Sequence, residues 1–451
     1  MSLFDDKRLN NRYFKLDIDG LRRGYYTDKY FENVVRILSA LSKNGYTYEG
    51  HYARAIGSNL QAVAVGDIEV EAQIFNRRAP RSLIAGTDVA LAMLRYATGY
   101  WRDEGDFVET YHQLDVRAVE DGIMTHYDGD PMNVHTVLII RGRYRDFAIL
   151  ETPILGVLTR ASRIATNVYD VLEVSNGKPV LFFPARFDLP AVQELDGYAY
   201  WLAVQRYNAD FNQQMRPIVS TDAQAAWWGG RGGGTVPHAL IACFLADTAE
   251  AMVNFARYIP VEVPRIALVD FNNDTLTTTR QTLEAFWPHY FAAYQNGDDV
   301  EMRRWRLNGV RLDTSSALRD ASLEPDGPKG VNPQLVSLLR EAINTAWESW
   351  DVPSAYTDLA RDYCRQVQIV VSGGFNRERI AHFESVKAPV DAYGVGSTFL
   401  SNDKTTNTDF TMDVVRIKID GDWVEMAKVG RQPCDNPDLR PVNWEDYEDV
   451  Q

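Results

Sequence analysis

Six short apolar runs between about residue 178 and residue 396 constrain this chain more than any other feature of its sequence. They are KPVLFF, RPIVS, RIALVD, the LNGVRLD run, QIVVSGG and APVDAYG. Helical patterns such as PHALIACFLADTAEAMVNFARY and NPQLVSLLREAINTAW lie between some of them. Short apolar runs that alternate with helices read as βα units of a parallel sheet. Six in succession predict a parallel barrel or an open barrel rather than a sandwich. Polar residues follow the carboxyl ends of the runs: Arg186, Thr221 with Asp222, Asp270, Arg311 with Asp313, and Ser372 with Gly373 and Gly374. In a (β/α) barrel those ends converge on one mouth, where active sites sit.

The N-terminal part has a different texture, that of a mixed α/β layer. Thr27 is placed to cap a helix carrying Val34, Val35, Leu38 and Leu41 on one face and ending near Gly45. Ile68, Val70, Ala72 and Ile74 then alternate with polar residues, as in a half-buried strand. HTVLIIRG, from His135, reads as another strand, and Glu151 opens a long helix. Beyond Gly396, DFTMDVVRIKI reads as an amphipathic strand that returns to the N-terminal layer. The expected class is α/β: an N-terminal α/β domain over 1–145, completed by 400–451, and an incomplete parallel (β/α) barrel over 146–399.

Composition narrows the partners. The 451 residues include 47 basic and 62 acidic side chains, a formal charge of −15, which argues against general nucleic-acid or anionic-membrane binding. Cys243, Cys364 and Cys434 are too few and too widely spaced for a zinc knuckle or a disulfide framework. The opening MSLFDDKRLNNRYF lacks the apolar core of a signal peptide, and no stretch approaches a membrane span. A cytoplasmic enzyme is the expectation.

Several segments carry chemistry. In VSGGFNRERI and PVDAYGVGS small residues come directly after apolar runs, so the backbone of Ser372, Gly373, Gly374, Gly394, Gly396 and Ser397 can approach an anion closely. Arg311 and Asp313 stand two apart in GVRLD and share one face of a strand, where a carboxylate can accept from ribose hydroxyls and a guanidinium can clamp phosphate. Asp270 in VDFNND can ligand magnesium through water, hold His238, or cap the next helix, and Asp274 has a similar setting. His238 follows a Gly-rich segment and Pro237, in the first turn of an apolar helix, where the positive end of the dipole favours a neutral imidazole. A histidine at a helix start more often packs than reacts. Phe183 can stack on a flat base, Arg186 nearby can meet a carboxylate, and Tyr30 offers a second aromatic face.

Taken together and in order, TDKYF, LETPILGVLTRASRIATN, GTVPHALIA, LVDFNND, GVRLD, VSGGFNRERI, PVDAYGVGS, DFTMDVVRI and MAKVGR resemble the nicotinate phosphoribosyltransferase family over nearly the whole chain. The resemblance implies a type II phosphoribosyltransferase fold and a head-to-tail homodimer with shared active sites. It implies pentosyl transfer that makes nicotinate mononucleotide and pyrophosphate from nicotinate and phosphoribosyl pyrophosphate with magnesium. ATP hydrolysis would be coupled through a phosphohistidine at His238, in the salvage of pyridine nucleotides. On the same basis Phe183 and the partner's Tyr30 would sandwich the ring, and Arg186 and Arg311 would surround base and donor. Asp313 would hold ribose hydroxyls, Gly373, Gly374, Gly396 and Ser397 would cradle the 5′-phosphate, and Lys428 or Arg431 would reach the remaining phosphates.

Three departures from the family pattern bear on this. Thr314 and Ser315 replace a Ser-Gly after RLD, and Pro184 and Phe187 stand where the family has a glycine and a second arginine. Thr221 is followed by Asp222, where nicotinate enzymes carry an uncharged residue and nicotinamide enzymes an aspartate. An ionised Asp222 would repel a carboxylate and accept from an amide, which motivates a nicotinamide-using alternative. The altered Thr314, Ser315 and Phe187 motivate another, a catalytically silent nucleotide-binding homologue.

Overall fold

The computed structural model describes residue 9 and residues 13–54, 60–103 and 105–447. Two compact units form: one from residues up to Tyr169, Tyr198–Ala209 and the chain from Ser401 on, the other from Asp170–Gly197 and Asp210–Leu400. Helix Glu151–Val174, expected to lie wholly in the barrel part, therefore has its residues through Tyr169 in the first unit.

The first unit is built on a six-stranded sheet in the order Asp422–Glu425, Phe410–Ile419, Glu69–Asn76, Leu138–Arg143, Asp115–Ala118, Arg440–Pro441, with every pairing antiparallel. The strand after Gly396 thus returns to this layer, beside Glu69–Asn76. The sequence reading of a half-buried strand fails at Glu69–Asn76, which is buried on both faces from Val70 onward. Glu71 and Gln73 within it are satisfied internally. Glu71 accepts from Arg141 Nε at 2.7 Å and Arg416 NH1 at 2.6 Å, its direct neighbours on the two flanking strands. Gln73 donates to Gln432 O and accepts from Cys434 N. Alternation of polar and apolar residues marks a solvated face only when the polar groups lack such partners.

Helix Lys29–Lys43 starts one residue later than expected. Asp28 is its N-cap, while the Thr27 hydroxyl is buried without a partner. It ends at Asn44, before Gly45 at φ +65°. Thr152 at the start of helix Glu151–Val174 bonds Asp28 through its hydroxyl. Burial, then the carboxylates of Asp413 and Asp28, push the Glu151 carboxyl up to about 8. The folded chain therefore keeps a proton that the unfolded chain releases near its ordinary value of 4.5. The stability from this group is complete below that value and is lost as pH rises through about 8. Glu151→Gln should flatten the fall in Tm between pH 6 and pH 9 and melt above the parent at pH 9. Parallel melting curves for the two proteins would remove Glu151 from the account.

The second unit holds a five-stranded parallel sheet in the order Val180–Phe182, Ala392–Val395, Gln368–Val371, Gly309–Leu312, Ile266–Leu268. RPIVS contributes only a parallel bridge from Val219 to Phe182, not the full strand expected. First and last strands are neighbours, as in a barrel, but Val219 and Ile266–Leu268 are unpaired with each other, so the barrel is open there. Phe182, Val310, Leu312, Ile369, Val371, Tyr393 and Val395 are fully buried on the face of the sheet opposite Phe183, Arg311, Ser372 and Gly394.

The expected helix across PHALIACFLADTAEAMVNFARY is two helices, His238–Cys243 and Thr248–Tyr258. Leu245 and Ala246 take φ of +57° and +70° between them, and Asp247 caps the second helix by accepting from Glu250 N. That second helix ends on Arg265, whose fully buried guanidinium donates to Ile259 O and Pro260 O at 2.9 Å, and also to Ala256 O and Val263 O. No helix among the described residues is long and apolar enough to cross a membrane.

Candidate active site at the carboxyl ends of the parallel strands

All five strands of the second unit run parallel, so the residues after their carboxyl ends emerge along one edge. Arg311 and Asp313 flank Leu312 at the end of strand Gly309–Leu312, Asp270 follows Ile266–Leu268, and Ser372 follows Gln368–Val371. Ser372 Oγ donates to Asp313 Oδ1 at 2.8 Å. The hydroxyl of Ser372, whose backbone was expected near a phosphate, is therefore engaged in fixing one oxygen of Asp313. Arg311 Nε is buried with no hydrogen-bond partner. Burial pulls its guanidinium below the ordinary value against the carboxylates of Asp313 and Asp270, and the like charge of Arg186 adds to the fall. Asp270 and the Arg311–Asp313 pair thus stand at the ends of neighbouring strands, and the Arg186 guanidinium, from the far edge of the sheet, is near enough to act on Arg311.

Of the alternatives left open for Asp270, the structure takes the hold on His238. Nε2 of His238 lies 3.1 Å from Asp270 Oδ1, with the Asp270 side chain only 5% exposed and that of His238 44%. Burial raises the Asp270 carboxyl above the usual carboxylate range, opposed by His238 and reinforced by Asp313. His238 is the first residue of its short helix, directly after Pro237. Asp274 is the helix cap instead, accepting from Thr277 N at the start of Thr275–Gln295.

The glycines divide into two kinds. Gly373 and Gly374 are exposed, with φ of +89° and +70°. Gly394 is buried inside its strand, where a Cβ would stand 2.8 Å from the Phe183 ring and 3.1 Å from Ser372 Cβ. At Gly396 a Cβ would stand 2.8 Å from Phe187. Gly394 and Gly396 therefore make room for aromatic rings, and Gly396 with Ser397 is the accessible part of that turn. Phe183 is half-buried, Arg186 is exposed, and the Arg186 guanidinium lies 5.4 Å from the Phe187 ring centre.

Thr221 and Asp222 are committed to local structure. Thr221 forms a capping box with Gln224 and donates through Oγ1 to Gln193. Asp222 Oδ1 accepts from Gly232 N at 2.9 Å, tying the Gly-rich segment back to this turn. The T-x-x-Q spacing was a readable capping signal that the sequence reading passed over. Thr314, one of the departures, is buried with an unpartnered hydroxyl. Among the described residues no three His, Cys, Asp or Glu side chains are grouped to hold a metal ion. Tyr30, Lys428 and Arg431 belong to the first unit. There Tyr30 is 59% exposed beside Phe31, Lys428 is exposed, and Arg431 pairs with Asp413 at 2.9 Å.

Residues 59–162 match the family model described as quinolinate phosphoribosyl transferase, N-terminal domain. The chain is 25% identical to the nicotinate-nucleotide pyrophosphorylase of Pyrococcus furiosus, over 94% of this chain and 82% of that one, with a TM-score of 0.60. The chain has the fold of the type II phosphoribosyltransferases. Human nicotinic acid phosphoribosyltransferase is also matched, at 14% identity over 87% of this chain and 75% of that one, with a TM-score of 0.49. NadC from Streptococcus pyogenes is matched at 13% identity over 87% and 98%, with a TM-score of 0.46. In this fold the chain keeps its decorated strand ends on the open barrel, with Arg311, Asp313 and Gly373 at the ends of adjacent strands.

Proposed function

We propose that this phosphoribosyltransferase joins nicotinate to phosphoribosyl pyrophosphate, giving nicotinate mononucleotide and pyrophosphate in pyridine nucleotide salvage, with ATP hydrolysis as an accompanying step. The observation that carries the reading is the cluster of Arg311, Asp313 held by Ser372, and the exposed Gly373–Gly374 turn on neighbouring strand ends. A diol, an anionic leaving group and a 5′-phosphate each find a complementary group there. In this reading Asp313 accepts from the ribose hydroxyls with the oxygen that Ser372 leaves free. Arg311 stabilises the charge that develops as pyrophosphate departs, while the ring nitrogen attacks the anomeric carbon from the opposite face. Phe183 stacks on the ring and Arg186 meets its carboxylate. Tyr30 would be the contribution of a second copy in a homodimer.

Magnesium would enter as an ion carried by the donor's phosphates, with Asp270 the candidate to reach it through water. It would neutralise phosphate charge. His238, with Nε2 toward Asp270, keeps Nδ1 available to accept a phosphoryl group from ATP. His238→Ala should abolish ATP stimulation and retain a measurable ATP-independent rate. Complete loss of turnover in a folded variant, with or without ATP, would move His238 into the transfer step.

Two other bases compete. Nicotinamide was favoured by Asp222, but a carboxylate that accepts from Gly232 N is occupied in holding the loop. Quinolinate, named in the matched family description, carries two carboxylates, whereas the residue next to Arg186 is the uncharged Phe187. The name of the Pyrococcus protein supports nicotinate nucleotide as the product class. Turnover measured with the three bases in parallel tests this choice: nicotinate should give the highest kcat/KM, and a preference for either competitor would replace it.

A further inference from the structure

We infer that Arg379 supplies the positive charge of an anion cradle at Gly373 and Gly374, so that it positions and holds the 5′-phosphate of the donor without touching it. The inference rests on the phosphoribosyl-transfer reading and gives one of its subsites a residue that the sequence reading left out. Gly373 and Gly374 both have positive φ, and neither amide N–H finds an acceptor among the described residues. Consecutive free amides in such a turn form a concave site for an anion. Amides alone face an obstacle here, because a Cβ at Gly373 would stand only 3.2 Å from Asp313 Oδ1. A phosphate in the cradle lies close to a carboxylate, and the repulsion has to be offset by a cation nearby.

Arg379 is that cation. It sits in the first turn of helix Arg377–Ser385, which follows the glycines directly. Its NH1 donates to Gly373 O at 2.6 Å and would lie 3.7 Å from a Cβ at Gly374. Its NH2 donates to Val331 O, and its guanidinium lies 4.1 Å from the Phe375 ring centre. All these partners are neutral, and no carboxylate pairs with Arg379 among the described residues. Burial lowers its pKa with nothing opposing it. A half-buried guanidinium without a counter-ion, fastened to the carbonyl of the cradle's own first glycine, is what a bound dianion would complete.

The test uses the full-length protein and titrates inorganic phosphate and ribose 5-phosphate calorimetrically into the parent, Arg379→Lys and Arg379→Met. Melting curves check that each variant folds. Arg379→Met should weaken both ligands at least about tenfold, the scale of one charge-assisted interaction, and Arg379→Lys should recover part of that loss. In turnover, KM for phosphoribosyl pyrophosphate should rise while KM for the base and kcat stay within about twofold of the parent. Unchanged phosphate binding by Arg379→Met overturns the inference. So does an Arg379→Lys protein as impaired as Arg379→Met with KM for the base raised as well, which is the signature of a purely structural tie. Phosphate binding that depends on Arg379 without any binding of ribose 5-phosphate would uphold the cradle and reject the donor reading.

Discussion

Arg311→Met should lower kcat/KM for phosphoribosyl pyrophosphate by about a thousandfold, the scale seen when a preorganised charge is removed from a developing anion. The size of the loss follows from its surroundings. Arg311 stands between Asp313 and Asp270, with a buried Nε that no protein group satisfies. Without it, two carboxylates at adjacent strand ends keep only the exposed Arg186 as a nearby guanidinium, and an anionic donor meets net negative charge. Arg311→Lys restores charge without the planar fork and should fall between parent and methionine variant. Steady-state kinetics with circular dichroism as the folding check decide the matter. A loss of less than about tenfold would mean that Arg311 serves the barrel rim rather than the reaction.

Arg265→Met should be the most destabilising single change in the second unit, at about 3 kcal/mol. The fully buried guanidinium donates to the carbonyls of Ala256, Ile259, Pro260 and Val263, closing the end of helix Thr248–Tyr258 and the turn after it. Burial and the neighbouring charge of Arg304 lower its pKa, so part of the hydrogen-bond gain is already offset in the parent. Methionine fills the volume but leaves the Ile259 and Val263 carbonyls without the donor they have in the parent, while Ala256 O keeps Arg304 and Pro260 O keeps Val263 N. A Tm lowered by about 10 °C is expected for a unit of this size. A shift within about 2 °C would show that water or Arg304, which already donates to Ala256 O, takes over the carbonyls.

The barrel was legible in the sequence because its strands are short, apolar and followed by polar or glycine residues, a pattern that solvent-facing strands do not produce. GVRLD and QIVVSGG became adjacent parallel strands with their decorated ends together. Other features were not legible. Glu71 and Gln73 read as a solvated face because their partners Arg141, Arg416, Gln432 and Cys434 lie far along the chain. Leu245 and Ala246 carry no propensity for positive φ, so the break between two helices was hidden, although Asp247 and Glu250 formed a readable capping pair. Within the site, the position of polar residues after strand ends was legible, and the orientation of their side chains was not. Ser372 turned to Asp313 rather than outward, Asp222 turned to Gly232, and Arg379 reached back to the glycine turn from the following helix. Each depends on a contact between segments that spacing alone leaves open.

The account stands most directly on one measurement: mass spectrometric identification of the product, with pyrophosphate quantified in parallel, from nicotinate, phosphoribosyl pyrophosphate, magnesium and the purified chain. Nicotinate mononucleotide and pyrophosphate in equal amounts, with more of both when ATP is added, is the predicted result. Absence of the mononucleotide from a folded protein that nonetheless binds phosphoribosyl pyrophosphate would contradict the assignment of nicotinate as its base.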